Sequence, residues 1–228
     1  MTSIRSALES VVAQLSDENY AESLAFHRVW FDVDRMLDPD DQTTSDRIFR
    51  ALWNNKGGGG SESHPEGALT HSNAHLIVRF ASDIESDHAL DPRSSGLQSR
   101  LCRDSLRAFF KDNVAVVWYS VSGCVEPRRN FYVHTNRIAH WVNLGCVEET
   151  TIRSRILQSL ISHPKLHLHQ ADALLVLFKL AGATFEAYAD ASVIDRCFEL
   201  LNGHCHIYSS KMNLLQVRAP RSESRPLN

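Results

Sequence analysis

The sequence predicts an α+β protein: an N-terminal helical unit followed by a mixed sheet with helices packed on it, ferredoxin-like in part. Three observations predict this. Residues 1–55 repeat their apolar positions at helical spacing. A glycine-rich stretch then breaks the pattern. Beyond it, several short runs are alternating or continuously apolar and rich in β-branched and aromatic residues, as strands are.

In the first unit, Ile4, Leu8, Val11, Val12 and Leu15 share a helical stripe. Ser16-Asp17 offers a cap for a second helix, which carries Tyr20, Leu24, His27, Trp30, Phe31 and Leu37 and stops before Pro39. A third helix starts near Thr44 or Ser45, with Ile48, Phe49, Leu52 and Trp53 as its stripe. Residues 56–73 read as a flexible linker or loop. Four consecutive glycines, Gly57–Gly60, lose more backbone entropy on ordering than any other run would.

Residues 74–218 read as the α/β domain. His75–Phe80 alternates, which predicts a strand. Leu97–Phe110 is helical, and Val114–Val121, apolar on both faces, predicts a central strand. Asn130–Leu144 is rich in β-formers and predicts a hairpin turning at Thr135-Asn136. Helices are expected at Thr150–Ile161 and at His169–Ala181, with Gly182 as the stop. Thr184–Tyr188 reads as a short strand. Ser192-Val193-Ile194-Asp195 reads as the capping box of a last helix closed by Gly203. One or two strands are expected in Cys205–Val217, and residues 219–228 read as a disordered tail.

With 43% hydrophobic and 22% charged residues, the 228-residue chain can bury a core. A net charge of −3 argues against a nucleic-acid footprint over the whole surface. No 18-residue apolar run occurs, so no membrane insertion is expected. Five dispersed cysteines without a C-x-x-C pair read as reduced thiols of a cytoplasmic or nuclear protein. A mitochondrial presequence is a weaker reading of the N-terminus, because acids return at Glu9, Asp17 and Glu18.

The candidates for chemistry are sparse. His163, His167 and His169, or His204-Cys205-His206 with Cys197, supply zinc-ligand types, but at no standard spacing, and loop histidines are the plainer reading. Cys124 stands just past the expected central strand with His134 or His140 as a conceivable base, yet nothing in the sequence pairs them. Gly57–Gly60 lacks the ending of a phosphate loop, and Asp38, Asp40 and Asp41 lack calcium-loop spacing. No catalytic residue, metal or cofactor is therefore expected.

What remains is surface. Phe26, Trp30, Phe31, Phe49 and Trp53 are more aromatic area than three short helices can bury alone. They must dock on the rest of the chain or on another protein, with Trp30, Phe31 and Trp53 as the expected interaction residues. The outer face of the Tyr20–Leu37 helix is the part expected to stay free. The expectation is a non-enzymatic intracellular adaptor or complex subunit. The alternative is a binder of RNA or single-stranded nucleic acid, using Arg128, Arg129, Phe131 and Tyr132 on a strand and the basic tail.

Overall fold

In the computed structural model, the described residues are 10–12, 14–37, 43–55, 73–87, 96–119, 126–162 and 166–205. All regular structure among them is helical, and no strand occurs. The α+β prediction is therefore overturned. The helices are α1 (Tyr20–Leu37), α2 (Thr43–Asn54), α3 (Ala74–Asp87), α4 (Leu97–Tyr119), α5 (Glu126–Asn143), α6, α7 (Leu168–Tyr188) and α8 (Ala191–Cys205). The sixth, α6, joins Glu149–Thr151, a π-helical Ile152–Ile156 and Leu157–Ile161.

Each strand expected within the described residues is helix instead, for an identifiable reason. In α3 the alternation of Leu76, Val78 and Phe80 is real, but Ala74, Ile77, Ala81 and Ile84 are buried with them. That set closes a helical face once the reading extends past the polar Ser82-Asp83. The apolar run from Val114 continues α4 without a glycine or proline to stop it, and its apolar side chains divide by helical face: Val116 is buried and Val114 exposed. The expected hairpin over 130–144 is α5, whose residues 131–139 are all buried. Burial of nine consecutive residues leaves no exposed side to mark the helix there, and Phe131, Tyr132, Val133, Ile138 and Trp141 mimic strand composition.

The helix of α7 also runs through the expected stop at Gly182 and absorbs the expected strand at 184–188. It kinks instead, at Ala181 (φ −132°, ψ 21°). There Asn143 Nδ2 donates to the Leu180 carbonyl at 2.7 Å and Thr184 Oγ1 donates to Asn143 Oδ1 at 3.0 Å. A side chain bonded into the backbone ladder is a sufficient cause of such a kink. In α8 the first turn closes on the Asp190 carbonyl, which accepts from Ile194 N, so Ser192 lies inside the helix. Cys205 ends α8; the strands expected beyond it lie outside the described residues, as do Gly57–Gly60 and 219–228.

α5 is the axis of the fold. It packs against α4, α7 and α3, while α6 packs against α7, α8 and α4. Phe109 of α4 stacks on Phe131 of α5, and Phe178 of α7 stacks on Phe198 of α8. Residues of the first 55, from Val12 to Leu52, join the same buried cluster as residues of α3–α8. Two helix ends are closed by specific hydrogen bonds. The Glu85 carboxylate of α3 accepts from Gly96 N (3.1 Å) and Gln98 N (2.7 Å), an anion at the N-terminus of α4. α5 ends in a Schellman motif: Gly145, at φ +69°, donates to the Val142 carbonyl, and Cys146 N donates to Trp141.

Candidate functional site

Two regions stand out chemically: a seam of polar groups inside the bundle and an apolar face outside it.

The seam follows α5. At its centre Arg137 is 1% exposed. Its Nη2 donates to the carbonyls of Leu52 (3.1 Å), Trp53 (3.2 Å) and Asn55 (2.6 Å). These are orphan acceptors at the C-terminus of α2, where the helix dipole also favours a cation. Among the described residues no carboxylate pairs with Arg137, and its Nε and Nη1 make no hydrogen bond. Burial accordingly lowers its pKa to about 10, which still leaves it charged at neutral pH. Asn55 extends the connection by donating from Nδ2 to the Val12 carbonyl, so α5, α2 and the first residues of the described chain meet here.

Trp53 belongs to this seam. It is partly buried, stacked on Phe49 and on His134, with Arg137 over its ring at 5.6 Å. His134 Nε2 in turn lies 4.0 Å from Asp112. Further along, the Tyr132 hydroxyl donates to Asp172 Oδ2 (3.0 Å) and lies 2.7 Å from His169 Nδ1, which can donate to it. Gln170 Nε2 donates to Asn113 Oδ1, and Asn113 Nδ2 to the Ser159 carbonyl, tying α7, α4 and α6 together. These bonds join one helix to the next.

The structure separates the chemistry candidates. His134 faces Trp53 and Asp112, whereas His140 lies against His75 of α3 (5.9 Å between rings). The two proposed bases for Cys124 therefore do not converge, and Cys124 itself lies outside the described residues. Among the zinc-type residues, His167 caps α7, His169 meets Tyr132, and Cys197 is buried with its thiol pKa pushed up to about 12 by burial. His163, His206 and the side chains of His204 and Cys205 lie outside the described residues, and no group of three metal-binding side chains occurs among those described.

The nucleic-acid strand is replaced by the first turns of α5. Phe131 and Tyr132 are buried and present no ring face to solvent. The side chains of Arg128 and Arg129 lie outside the described residues, as do those of Trp30 and Phe31 on α1.

The apolar face is on α1. Its inner side packs on α3: Tyr20 and His27 meet Phe80 edge-on, the Tyr20 hydroxyl donates to Asp83 at 2.6 Å, and Arg28 pairs with Asp87 at 2.6 Å. Burial and then the Asp83 bond raise the Tyr20 pKa, so it stays a neutral donor. The outer side carries Ala25, Phe26, Val29 and Val33, with Glu22 one turn before Phe26. Phe26 is 38%, Val29 65% and Val33 39% exposed. Of the six exposed large apolar residues among those described, these are three; the others, Val114, Leu144 and Tyr188, lie on other elements. The signal for this face was present in the sequence as a second apolar stripe on one helix, about opposite the first. The buried polar seam had no such signal, because polar residues in a strand-like segment read as its solvent side.

No family model matches the chain, and no curated protein and no solved structure is significantly similar to it. No helix among the described residues is long and apolar enough to cross a membrane.

Proposed function

We propose that the chain is a non-enzymatic adaptor or complex subunit that binds a protein partner through the outward face of α1. The supporting observation is the stripe Phe26, Val29, Val33, exposed on a helix whose opposite face is already docked. Spacings of three and four residues are those of anchors that seat a helix in a hydrophobic groove. Glu22 stands at one end of the stripe, so the complementary groove is apolar with a basic residue at that end. Trp53, turned onto Phe49 and His134, serves the chain's own core in this reading.

The test is a matched affinity purification of the intact protein and a Val29→Glu/Val33→Glu variant, with light scattering on both. The variant is expected to keep its melting curve and lose specific partners. If both proteins recover the same set, α1 is not the docking surface. If light scattering shows a dimer that the variant abolishes, the partner is a second copy.

A further inference from the structure

Cys146 is held against the first turns of α4 at two points. Its Sγ accepts from the Gln98 side-chain amide, and its carbonyl lies 3.5 Å from the Cys102 Sγ, which donates to it. Gln98 and Cys102 are four residues apart and so share one face of the helix. Cys146 closes the Schellman motif of α5, where the residue is partly exposed. Cys102 is buried beneath it. A partly exposed cysteine on a turn thus lies against a buried cysteine on a helix, 44 residues apart in the chain.

We propose that Cys102 and Cys146 form a thiol pair that closes to a disulfide in the folded protein on exposure to a low-molecular-weight disulfide. Cys146 reacts first, because only it is accessible. Its thiolate attacks one sulfur of the reagent disulfide, breaks that bond and expels one thiolate. A side-chain rotation moves the mixed disulfide from Gln98 towards Cys102. The Cys102 thiolate then attacks the Cys146 sulfur and expels the second reagent thiolate. The protein loses two protons and two electrons, and the reagent disulfide is reduced to two thiols. Burial holds both thiols protonated at neutral pH, Cys102 the more strongly, with its pKa at about 12. The reaction therefore accelerates with rising pH, since the thiolate is the nucleophile. The product bolts the start of α4 to the turn between α5 and α6.

The probe is oxidised glutathione, added in excess to the reduced full-length protein at mildly alkaline pH, with acid quenching and peptide mapping by mass spectrometry. The expected product is a Cys102–Cys146 linked peptide with no lasting glutathione on Cys146. Cys102→Ser should trap the mixed disulfide on Cys146, and Cys146→Ser should leave Cys102 unmodified while folded. The proposal is overturned if wild type keeps glutathione on Cys146 with Cys102 free, if both thiols stay free, or if the linked peptide appears only in urea. Should Cys102→Ser fail to fold by circular dichroism, the wild-type map decides alone.

Discussion

α1 and α5 are both 18 residues long, and they are built in opposite senses. α5 carries His134, Thr135, Asn136 and Arg137 and is the most enclosed helix of the bundle. α1 carries Phe26, Val29 and Val33 and shows them to solvent. Burial here does not follow hydrophobicity residue by residue. What α5 has in exchange is partners for most of these groups, Arg137 Nε and Nη1 and Trp141 Nε1 excepted: Arg137 Nη2 closes α2, Thr135 Oγ1 and Asn136 Nδ2 donate back to the Phe131 and Tyr132 carbonyls, and Tyr132 reaches Asp172. A buried polar group is tolerable when so bonded, and costly otherwise. The apolar stripe of α1 has no partner of comparable kind within the described chain, which is why it is read as a surface meant for something else.

The comparison breaks most visibly with one substitution made inside the core. Val78 of α3 is buried, and a glutamate there places a carboxylate in the hydrophobic core cluster. Loss of the cooperative melting transition is the expected outcome. Arg137→Ala comes next. It leaves the α2 carbonyls without their donor and opens a void beside Trp53, so about 3 kcal/mol should be lost on urea denaturation. A loss under about 1 kcal/mol would mean that the unpaired guanidinium costs nearly as much as its three bonds return.

Tyr132→Phe is a smaller and cleaner change. It keeps the packed ring and removes only the hydroxyl shared by Asp172 and His169. About 1 kcal/mol is expected, the net contribution of one buried hydrogen bond. A neutral result would show that Asp172 is satisfied without Tyr132.

How much of this was legible beforehand follows the same division. α1, α2, α6 and the start of α7 were readable because their buried apolar residues recur at helical spacing. The stripe Ile48, Phe49, Leu52, Trp53 was expected and is found, three buried and Trp53 partly so. α3 and α5 were not read as helices: in α3 the local alternation of Leu76, Val78 and Phe80 hid the wider helical face, and in α5 residues 131–139 are buried whatever their polarity. The outer face of α1 was expected to be free. The Arg137 latch was invisible, since its acceptors are backbone carbonyls 82 to 85 residues away and have no sequence signature.

Acidification supplies a graded test of the inner helix. Burial, and then the neighbouring His75, lower the His140 pKa below its ordinary value. Above about pH 6.5 this residue is neutral both folded and unfolded, and contributes nothing to pH dependence. As pH falls through that value the unfolded chain takes up the proton first, so stability declines until the folded pKa is passed. His140→Gln should therefore flatten part of the fall in melting temperature between neutral and mildly acid pH. An unchanged slope would place the sensitivity elsewhere.

The smallest expected effect on stability is the most informative about α1. Val29→Glu makes the same chemical change as Val78→Glu, on a residue 65% exposed. A glutamate there should move folding stability by no more than about 0.5 kcal/mol, as surface substitutions usually do. Its register position, three residues after Phe26 and four before Val33, puts the new charge in the middle of the apolar stripe. A partner groove fitted to that stripe would have to bury an unpaired carboxylate, so association should weaken by at least an order of magnitude while the melting curve stays in place. If Val29→Glu instead costs about 2 kcal/mol or more of stability, the outer face of α1 is packed by the protein itself. The contrast with α5 would then reduce to two helices buried by different means, one through hydrogen bonds and one through apolar contact.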